Sequence, residues 1–369
     1  MNCLSLYTGC GGLDLGFHQA GFNVKWANEL SAAALQTYEK ELRRTGRELP
    51  HIECGDISGV TLPEAGIADI VIGGPPCQGF SVAGRMNPKD PRSRHVWEFF
   101  KVVEQMSPKA FVMENVKALG VNSRWKDVRS ALQAEGERLG FQTRLIILNS
   151  ADYGVPQLRE RMFLIGIKGK TMSIPPEHSK RITVREALNE LPAFGEKGND
   201  SICKAIITPA KSPVMRKSAF AGMLFNGQGR PMNLDAPAPT LPASMGGNRT
   251  PIIDQECLET KQEPWIVSYH KSLLAGGEIA EKIPECLRRL TVEEAAKLQG
   301  FPDGMKFEGS QSAKFTQIGN SVPPPLAFAV ARTLKNILHS TNPNFEETGE
   351  QFSWVAEDEV SYNKEVKEC

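Results

Sequence analysis

Three clusters of residues in this 369-residue chain are suited to chemistry. The first is Gly73-Gly-Pro-Pro-Cys77-Gln-Gly-Phe-Ser81, which follows the apolar run Ala68-Asp-Ile-Val-Ile72. Two glycines free the backbone and two prolines stiffen it, so the segment is built to hold the Cys77 thiol still at the end of a strand. The second is Phe111-Val-Met-Glu114-Asn-Val116, where a carboxylate closes another strand-like run. A buried cysteine is usually inert and a strand-end glutamate usually caps a helix. If the two strands are neighbours in a parallel sheet, however, thiol and carboxylate leave from the same ligand-binding edge, which favours covalent catalysis by Cys77 with Glu114 beside it. The third cluster is Gln157-Leu-Arg159-Glu-Arg161. Its alternation puts Gln157, Arg159 and Arg161 on one face, and two arginines projecting together suit a planar polar ring or a phosphate.

A fourth feature is a binding signal. Thr8-Gly9-Cys-Gly11-Gly12-Leu-Asp14-Leu-Gly16 takes the first strand-like run into a helix, the arrangement that binds nucleotides at the edge of a parallel sheet. Glu29 ends the second strand 18 residues after Gly11, placed to accept both hydroxyls of a ribose. Counted from Gly9 and Gly11, the third position of Gly-x-Gly-x-x-Gly falls on Asp14, so the dinucleotide spacing fails. An adenosine carried on sulfur fits better. Asp56, in Gly55-Asp-Ile57, is placed to accept from an adenine amino group, with Ile57 packing on the ring.

These groups need a scaffold, and the first 170 residues supply one. Short apolar runs near 3–7, 23–29, 69–73, 110–114 and 143–149 alternate with helical patterns at 31–42, 96–106 and 128–139, the signature of βαβ units. The run Arg161-Met-Phe-Leu-Ile-Gly-Ile167 is expected to close the sheet as an antiparallel edge strand. From residue 170 the texture turns to Gly, Pro, Ser and Asn, with fragments such as Ala236-Pro-Ala-Pro-Thr-Leu-Pro242 that deny helix and long strand. Thr291-Val-Glu-Glu294 then reads as a helix capping box, and a last helix from Leu326 to Leu338 is expected to pack back on the first domain. The expected organisation is α/β: a catalytic domain of residues 1–170 plus 287–340, a smaller irregular domain of 171–286, and an acidic tail of 341–369.

The net charge of zero hides an asymmetry. Residues 341–369 hold eight acids and two bases, which leaves a body of net charge +6. In the segment 201–253, Lys204, Lys211, Arg216, Lys217, Arg230 and Arg249 face a single acid, Asp235, a balance that suits a nucleic-acid partner. Eight scattered cysteines without Cys-x-x-Cys or paired histidines argue against a metal site or a disulfide framework. The opening Met1-Asn-Cys-Leu-Ser-Leu lacks a signal-peptide pattern, and there is no apolar run of membrane-spanning length, so a cytoplasmic, nucleoid-associated protein is expected.

Taken in order, Tyr7-Thr-Gly-Cys-Gly-Gly12, Gly-Pro-Pro-Cys77-Gln-Gly-Phe-Ser, Glu114-Asn-Val, Gln157-x-Arg-x-Arg, Arg288-Arg-Leu-Thr with Gln299-Gly-Phe-Pro, and Gly319-Asn-Ser-Val-Pro resemble the motifs of the DNA cytosine-5 methyltransferases of bacterial restriction-modification systems. The resemblance runs from residue 4 to 335 and lapses in the segment near 170–286. It implies a Rossmann-like domain dependent on S-adenosylmethionine, without a metal, and a target-recognition domain that reads double-stranded DNA. It further implies that the Cys77 thiolate adds to carbon 6 of a flipped-out cytosine so that carbon 5 can take the methyl group. Glu114 would bond N3 and the exocyclic amine, and Arg161, supported by Arg159, would hold O2. Pro75, Tyr7, Asn320 and Val322 would complete the cofactor pocket. The loop from Gln78 to Arg94, with Gly79, Gly84 and Arg85, would close over the base, and Ser81 would meet a phosphate. Thr240-Leu241 would lie near the flipped base, and Gln78, Arg85 and Gln157 would face DNA beside the basic residues of 201–253. Ser5 and Tyr7 depart from the Asp and Phe frequent in the family, which bears on the cofactor contacts.

Other chemistries fit less well. Amino-group methyltransferases place an aromatic residue after their Pro-Pro pair, and the other RNA cytosine methyltransferases use a Thr-Cys pair that is absent here. No histidine lies in any of these motifs to serve a thiol hydrolase as base. A transfer-RNA substrate and a catalytically silent DNA-binding regulator remain the competing readings. A monomer is expected, with a cognate restriction endonuclease acting separately.

Overall fold

Apolar, β-branched runs bounded by Gly, Pro and Asn build the sheet that positions the site. A computed structural model describes residues 1–76, 94–178 and 180–340; Cys77, Gln78, Ser81, Arg85 and the acidic tail lie outside the described residues. The strands in chain order are β1 (Asn2–Leu6), β2 (Asn23–Glu29), β3 (His51–Cys54), β4 (Ile70–Gly73), β5 (Ala110–Val116), β6 (Gln142–Asn149), the two-residue β7 (Gln157–Leu158) and β8 (Glu160–Ile167). Helices α1 (Gly12–Gln19), α2 (Ala32–Arg44), α3 (His95–Met106), α4 (Lys117–Val121) and α5 (Lys126–Arg138) connect them.

Seven strands form one sheet in the order β3-β2-β1-β4-β5-β8-β6, parallel except for β8, which runs against both neighbours. The result is a Rossmann-like, doubly wound α/β domain. The chain moves from β1 through β2 to β3 on one side and then crosses to β4 on the other. The switch point therefore lies between β1 and β4, where the carboxyl ends of the strands open a crevice.

One expectation is corrected here. The strand at 160–167 is antiparallel but not at the edge: β8 is inserted between β5 and β6, and β6 is the edge. Burial explains the order. Met162 to Ile167 are all buried, as a strand covered on both faces must be, whereas the outer half of β6 is exposed or partly exposed.

One face of the sheet is covered by α1 and by the last helix, α11 (Pro324–His339), around Phe17, Tyr38, Val330 and Leu334. The other carries α3 and α5 over Phe99, Phe100, Phe111 and Phe141, whose rings meet edge to face. The irregular region contains more regular structure than its composition suggests. It holds α6 (Val184–Leu188), a hairpin of β9 (Pro209–Val214) and β10 (Met223–Phe225), β11 (Ala238–Pro239), β12 (Ile252–Asp254), α7 (Gln255–Thr260) and α8 (Trp265–Leu274). Ile266, Tyr269 and His270 give α8 one buried face, while Thr183 and Glu186 close a complete capping box on α6. Then follow β13 (Leu287–Arg289), α9 (Val292–Gln299), α10 (Gln311–Asn320) and α11 (Pro324–His339).

The capping box read at Thr291 is present with both of its bonds, and α11 packs as expected. The passage from 286 to 287 is not a break in packing, because β13 pairs antiparallel with β12. A shared core of Val184, Leu234, Leu241, Leu290, Leu298 and Phe315 joins the irregular region to the returning chain.

Candidate active site

The carboxyl ends of β1 to β5 converge on a cavity of about 460 Å³. Each strand delivers what its last residues dictate. After β1, Tyr7 turns the chain at φ +55°, a left-handed conformation that costs an aromatic residue on the order of 1–3 kcal/mol. Its hydroxyl donates to the His95 carbonyl at 3.2 Å and lies equally close to His95 Nδ1, and the rings meet edge to face. The glycine loop follows, with Gly9 at φ +61° and Gly11 at φ +90°. Only glycine suits Gly11: a Cβ there would fall 2.3 Å from the Tyr38 ring, in a conformation that L residues rarely adopt.

At the end of β2, Glu29 accepts the Gly9 N–H through Oε2 and the Ser31 N–H through Oε1. A carboxylate has about four acceptor sites, so two remain for a vicinal diol. After β3, Asp56 caps a turn by accepting from the Ser58 N–H and hydroxyl, and its second oxygen stands 3.4 Å from Arg94. Those bonds hold the Asp56 carboxyl below the usual carboxylate range. Ile57 is buried beside it. Val322 and Asn320 close the far wall, and Gly12 and Pro75 line the cavity with them. Of the expected cofactor residues, Gly11 alone is not on the lining; it shapes the loop from behind.

At the other end stands the expected catalytic set. β4 and β5 are parallel neighbours, so the Gly-Gly-Pro-Pro segment and Glu114 leave the sheet together. A Cβ on Gly74 would lie 3.1 Å from Glu114 Oε2, and Asn115 Nδ2 donates to the Pro75 carbonyl at 3.2 Å. Thus the backbone entering Cys77 is tied beside the carboxylate. Glu114 is buried, and its Oε1 accepts from Arg161 Nε at 2.9 Å. Burial pushes the Glu114 carboxyl up from its ordinary value, and the charges of Arg161 and Arg159 oppose the shift. A carboxyl in that balance can hold a proton for a ring nitrogen, with a guanidinium beside it for an oxygen.

Arg159 keeps a supporting place beside Arg161, whereas Gln157 does something other than expected. Arg159 is 1% exposed, lines the cavity with Arg161 and donates to the carbonyls of Leu241, Gly319 and Ser321, so it pins two returning segments at the site. Gln157, expected to face DNA, is fully buried. Its amide donates to the Leu298 carbonyl and to Gln299, and its oxygen accepts from the Leu241 N–H. It has no surface to offer, because strand alternation aims it at the returning chain. Thr240 is exposed and donates to the Leu158 carbonyl, which fastens β11 alongside β7 next to the arginines. Lys204, Arg216, Lys217, Arg230 and Arg249 are all exposed, and none forms an ion pair among the described residues. Asp235, the one acid of that stretch, is engaged by Arg185.

Residues missed in the sequence are His95, Asn115, Ser31 and Ser321, all on the lining. Asn115 was within reach, since it follows Glu114 directly. His95 carries no local signal, because only the fold brings α3 against Tyr7. Among the described residues no cluster of His, Cys, Asp and Glu has the makings of a metal site, and no helix is long and apolar enough to cross a membrane.

Comparisons with known proteins bear on the family and the fold. A family model described as C-5 cytosine-specific DNA methylase matches residues 1–336. The type II methyltransferase M1.HphI of Haemophilus parahaemolyticus is 33% identical over 348 residues, covering 90% of this chain and 86% of that protein. M.FnuDI of Fusobacterium nucleatum is 31% identical over 354 residues, covering 92% of this chain and 95% of that one. A solved DNA modification methyltransferase encoded within a prophage of E. coli shares the fold with a TM-score of 0.63 at 23% identity, covering 92% of this chain and 100% of that one. Spodoptera frugiperda DNMT2 shares the fold with a TM-score of 0.64 at 17% identity, covering 92% and 99%. With the family model spanning residues 1–336, the chain belongs to the C-5 cytosine-specific DNA methylase family.

Proposed function

We propose that the protein transfers a methyl group from S-adenosylmethionine to carbon 5 of a cytosine flipped out of a specific duplex sequence, through a covalent adduct on Cys77. The observation that carries this reading is the buried Glu114–Arg161 pair standing where β4 hands the chain to Cys77, in one cavity with the glycine loop and Glu29. Addition of the Cys77 thiolate to carbon 6 pushes electrons onto carbon 5. Glu114 holds the proton on N3 that stabilises the adduct, and Arg161 holds O2. After methyl transfer, loss of the carbon-5 proton and expulsion of the thiolate restore the ring. A free thiol titrates at about 8.5, so the site must favour the thiolate or orient the ring.

When bound, S-adenosylmethionine supplies the electrophilic methyl group. Glu29 holds the ribose diol, Asp56 and Ile57 the adenine, and Tyr7 with the Gly9–Gly12 loop the remainder. The two open acceptor sites of Glu29 support that fit. Arg159 acts as a positioning residue. Lys204, Arg216, Lys217, Arg230, Thr240 and Arg249 face double-stranded DNA in this reading, with Gln78, Ser81 and Arg85 on the loop outside the described residues. Because the relatives are type II methyltransferases, the protein protects DNA from a cognate restriction endonuclease that acts separately, as a monomer in the cytoplasm.

Purified protein given methyl-labelled S-adenosylmethionine and duplex DNA should label the DNA at cytosine carbon 5, and Cys77→Ser should abolish labelling. Transfer by the mutant at the parent rate would end the covalent reading. Labelling of transfer RNA in preference to duplex DNA would replace the substrate.

A further inference from the structure

Arg289 is a buried guanidinium, 2% exposed, that forms no ion pair among the described residues. Its neighbour Arg288 is the contrast, since it is held by both oxygens of Glu294 at 2.6 and 2.8 Å. Arg289 instead donates to loops far apart in the chain. Nη1 reaches the Thr250 carbonyl at 2.7 Å and the Asn248 carbonyl at 3.2 Å. Nε reaches the Ala205 carbonyl at 3.4 Å, and Nη2 reaches Asn226 Oδ1 at 3.5 Å. The loop of Asn226 is also pressed against it further along: a Cβ on Gly229 would fall 2.2 Å from Arg289 Nη1 and 2.2 Å from the Thr250 carbonyl.

The residues adjoining these contacts are three of the exposed cations. Lys204 precedes Ala205, Arg230 follows Gly229, and Arg249 lies between Asn248 and Thr250. Asn226 extends the arrangement by accepting from the Thr208 N–H and donating to the Ile206 carbonyl, while the Gly229 N–H donates to Asn248. Burying a guanidinium without a carboxylate is costly, and an apolar residue would fill the space more cheaply. What an apolar residue could not do is hold several carbonyls at fixed angles, which is the property of the planar five-donor fork. Nor could it add an uncompensated positive charge beneath the surface that carries Lys204, Arg230 and Arg249.

We infer that Arg289 is a positioning residue for DNA, joining the loops of Lys204, Arg230 and Arg249 into one three-pronged clamp for backbone phosphates. This rests on the reading of those cations as the DNA face. Arg289 ends β13, two residues before the capping box of α9, and α9 carries the Leu298 carbonyl and Gln299 that hold Gln157. The clamp is thereby built onto the same backbone that fixes the catalytic strand.

The test is the salt dependence of duplex binding by the full chain, with a duplex containing the mapped target site. Each phosphate contact adds about 0.9 to the slope of log K against log salt, so losing three removes about 2.7. Between 50 and 200 mM salt the affinity loss then shrinks by about 40-fold. Arg289→Met should lower the slope by more than one unit although it touches no DNA, and raise KM for DNA far more than it lowers kcat. Gly229→Ala, which keeps Arg289 but intrudes on its Nη1, should move the slope the same way, and Arg289→Lys should recover part of it. S-adenosylhomocysteine affinity should stay at the parent value in all three. The triple variant Lys204→Ala, Arg230→Ala, Arg249→Ala sets the reference. If it lowers the slope while Arg289→Met and Gly229→Ala keep the parent slope, Arg289 positions nothing. If the triple variant itself keeps the parent slope, these cations do not face DNA and the inference falls with that reading. Should Arg289→Met fail to fold, Gly229→Ala and Arg289→Lys decide by the same slopes.

Discussion

Replacing Arg161 with methionine removes the cation from Glu114 while keeping an unbranched side chain of comparable length. The two are 10–13% exposed and 2.9 Å apart, so breaking the pair would leave a buried carboxylate with only the charge of Arg159 to oppose its burial, a loss of at most about 3–5 kcal/mol. The protein has a cheaper route, which is to protonate Glu114. With an ordinary glutamate value near 4.3, taking up that proton costs about 3.7 kcal/mol at pH 7 and about 1 kcal/mol at pH 5. Those figures bound the destabilisation at each pH. The sign follows from the direction of the shift: burial already raises the folded-state value of Glu114. Its contribution to stability is therefore complete below the unfolded value and is lost as pH climbs through the folded one. Removing Arg161 raises the folded value further, so the difference from the parent widens between pH 5 and pH 7. Urea unfolding of both proteins at the two pH values measures it, and Glu114→Gln in the variant background should restore most of the loss at pH 7. A destabilisation equal at both pH values, or larger at pH 5, would refute the assignment of Arg161 as the counter-charge of Glu114.

Tyr7→Phe keeps the ring but removes the hydroxyl held by His95, so S-adenosylhomocysteine should bind about fivefold more weakly by calorimetry, the worth of about 1 kcal/mol for one net hydrogen bond. An unchanged Kd would mean that the pair does not brace the cofactor loop. Burial pushes Asp14 up to about 7, and Ser5 donates to it at 2.7 Å. The parent should accordingly lose stability as pH rises from 6 to 8, and Asp14→Asn should flatten that decline; parallel profiles would remove Asp14 as its source. Gln157→Ala should cost about 1–3 kcal/mol in urea, because it strands the groups it now satisfies. Parent-like stability together with a duplex Kd raised about tenfold at fixed salt would return Gln157 to the DNA face.

What the sequence made legible follows the range of the interactions involved. Glu114, the Gly-Gly-Pro-Pro segment and the glycine loop each announce themselves, because the turn chemistry that presents a group lies within a few residues of it. Parallel strands also place such groups at one edge without further information. The position of β8 was not legible, since a run such as Met162 to Ile167 says that both faces are buried but not between which strands. Gln157 was misjudged for a related reason. Alternation gives the face of a strand, whereas solvent or a returning segment on that face is decided by Leu241 and Leu298, 84 and 141 residues away. In the irregular region, α6 carried its Thr183 and Glu186 box in plain view, and it was the surrounding Gly and Pro that obscured it.

The two-sided wall of the cofactor cavity also sets a clock. Tyr7 to Leu13 emerge first from the ribosome, whereas Ala313 to Val322, which complete the same wall, come about 300 residues later. At roughly 5–20 residues per second, that delay is about 15–60 s. Until then the carbonyls of Gly319 and Ser321 that Arg159 grips do not exist. A chain stopped before residue 313 therefore holds Tyr7, Glu29 and Glu114 without the wall that completes their cavity.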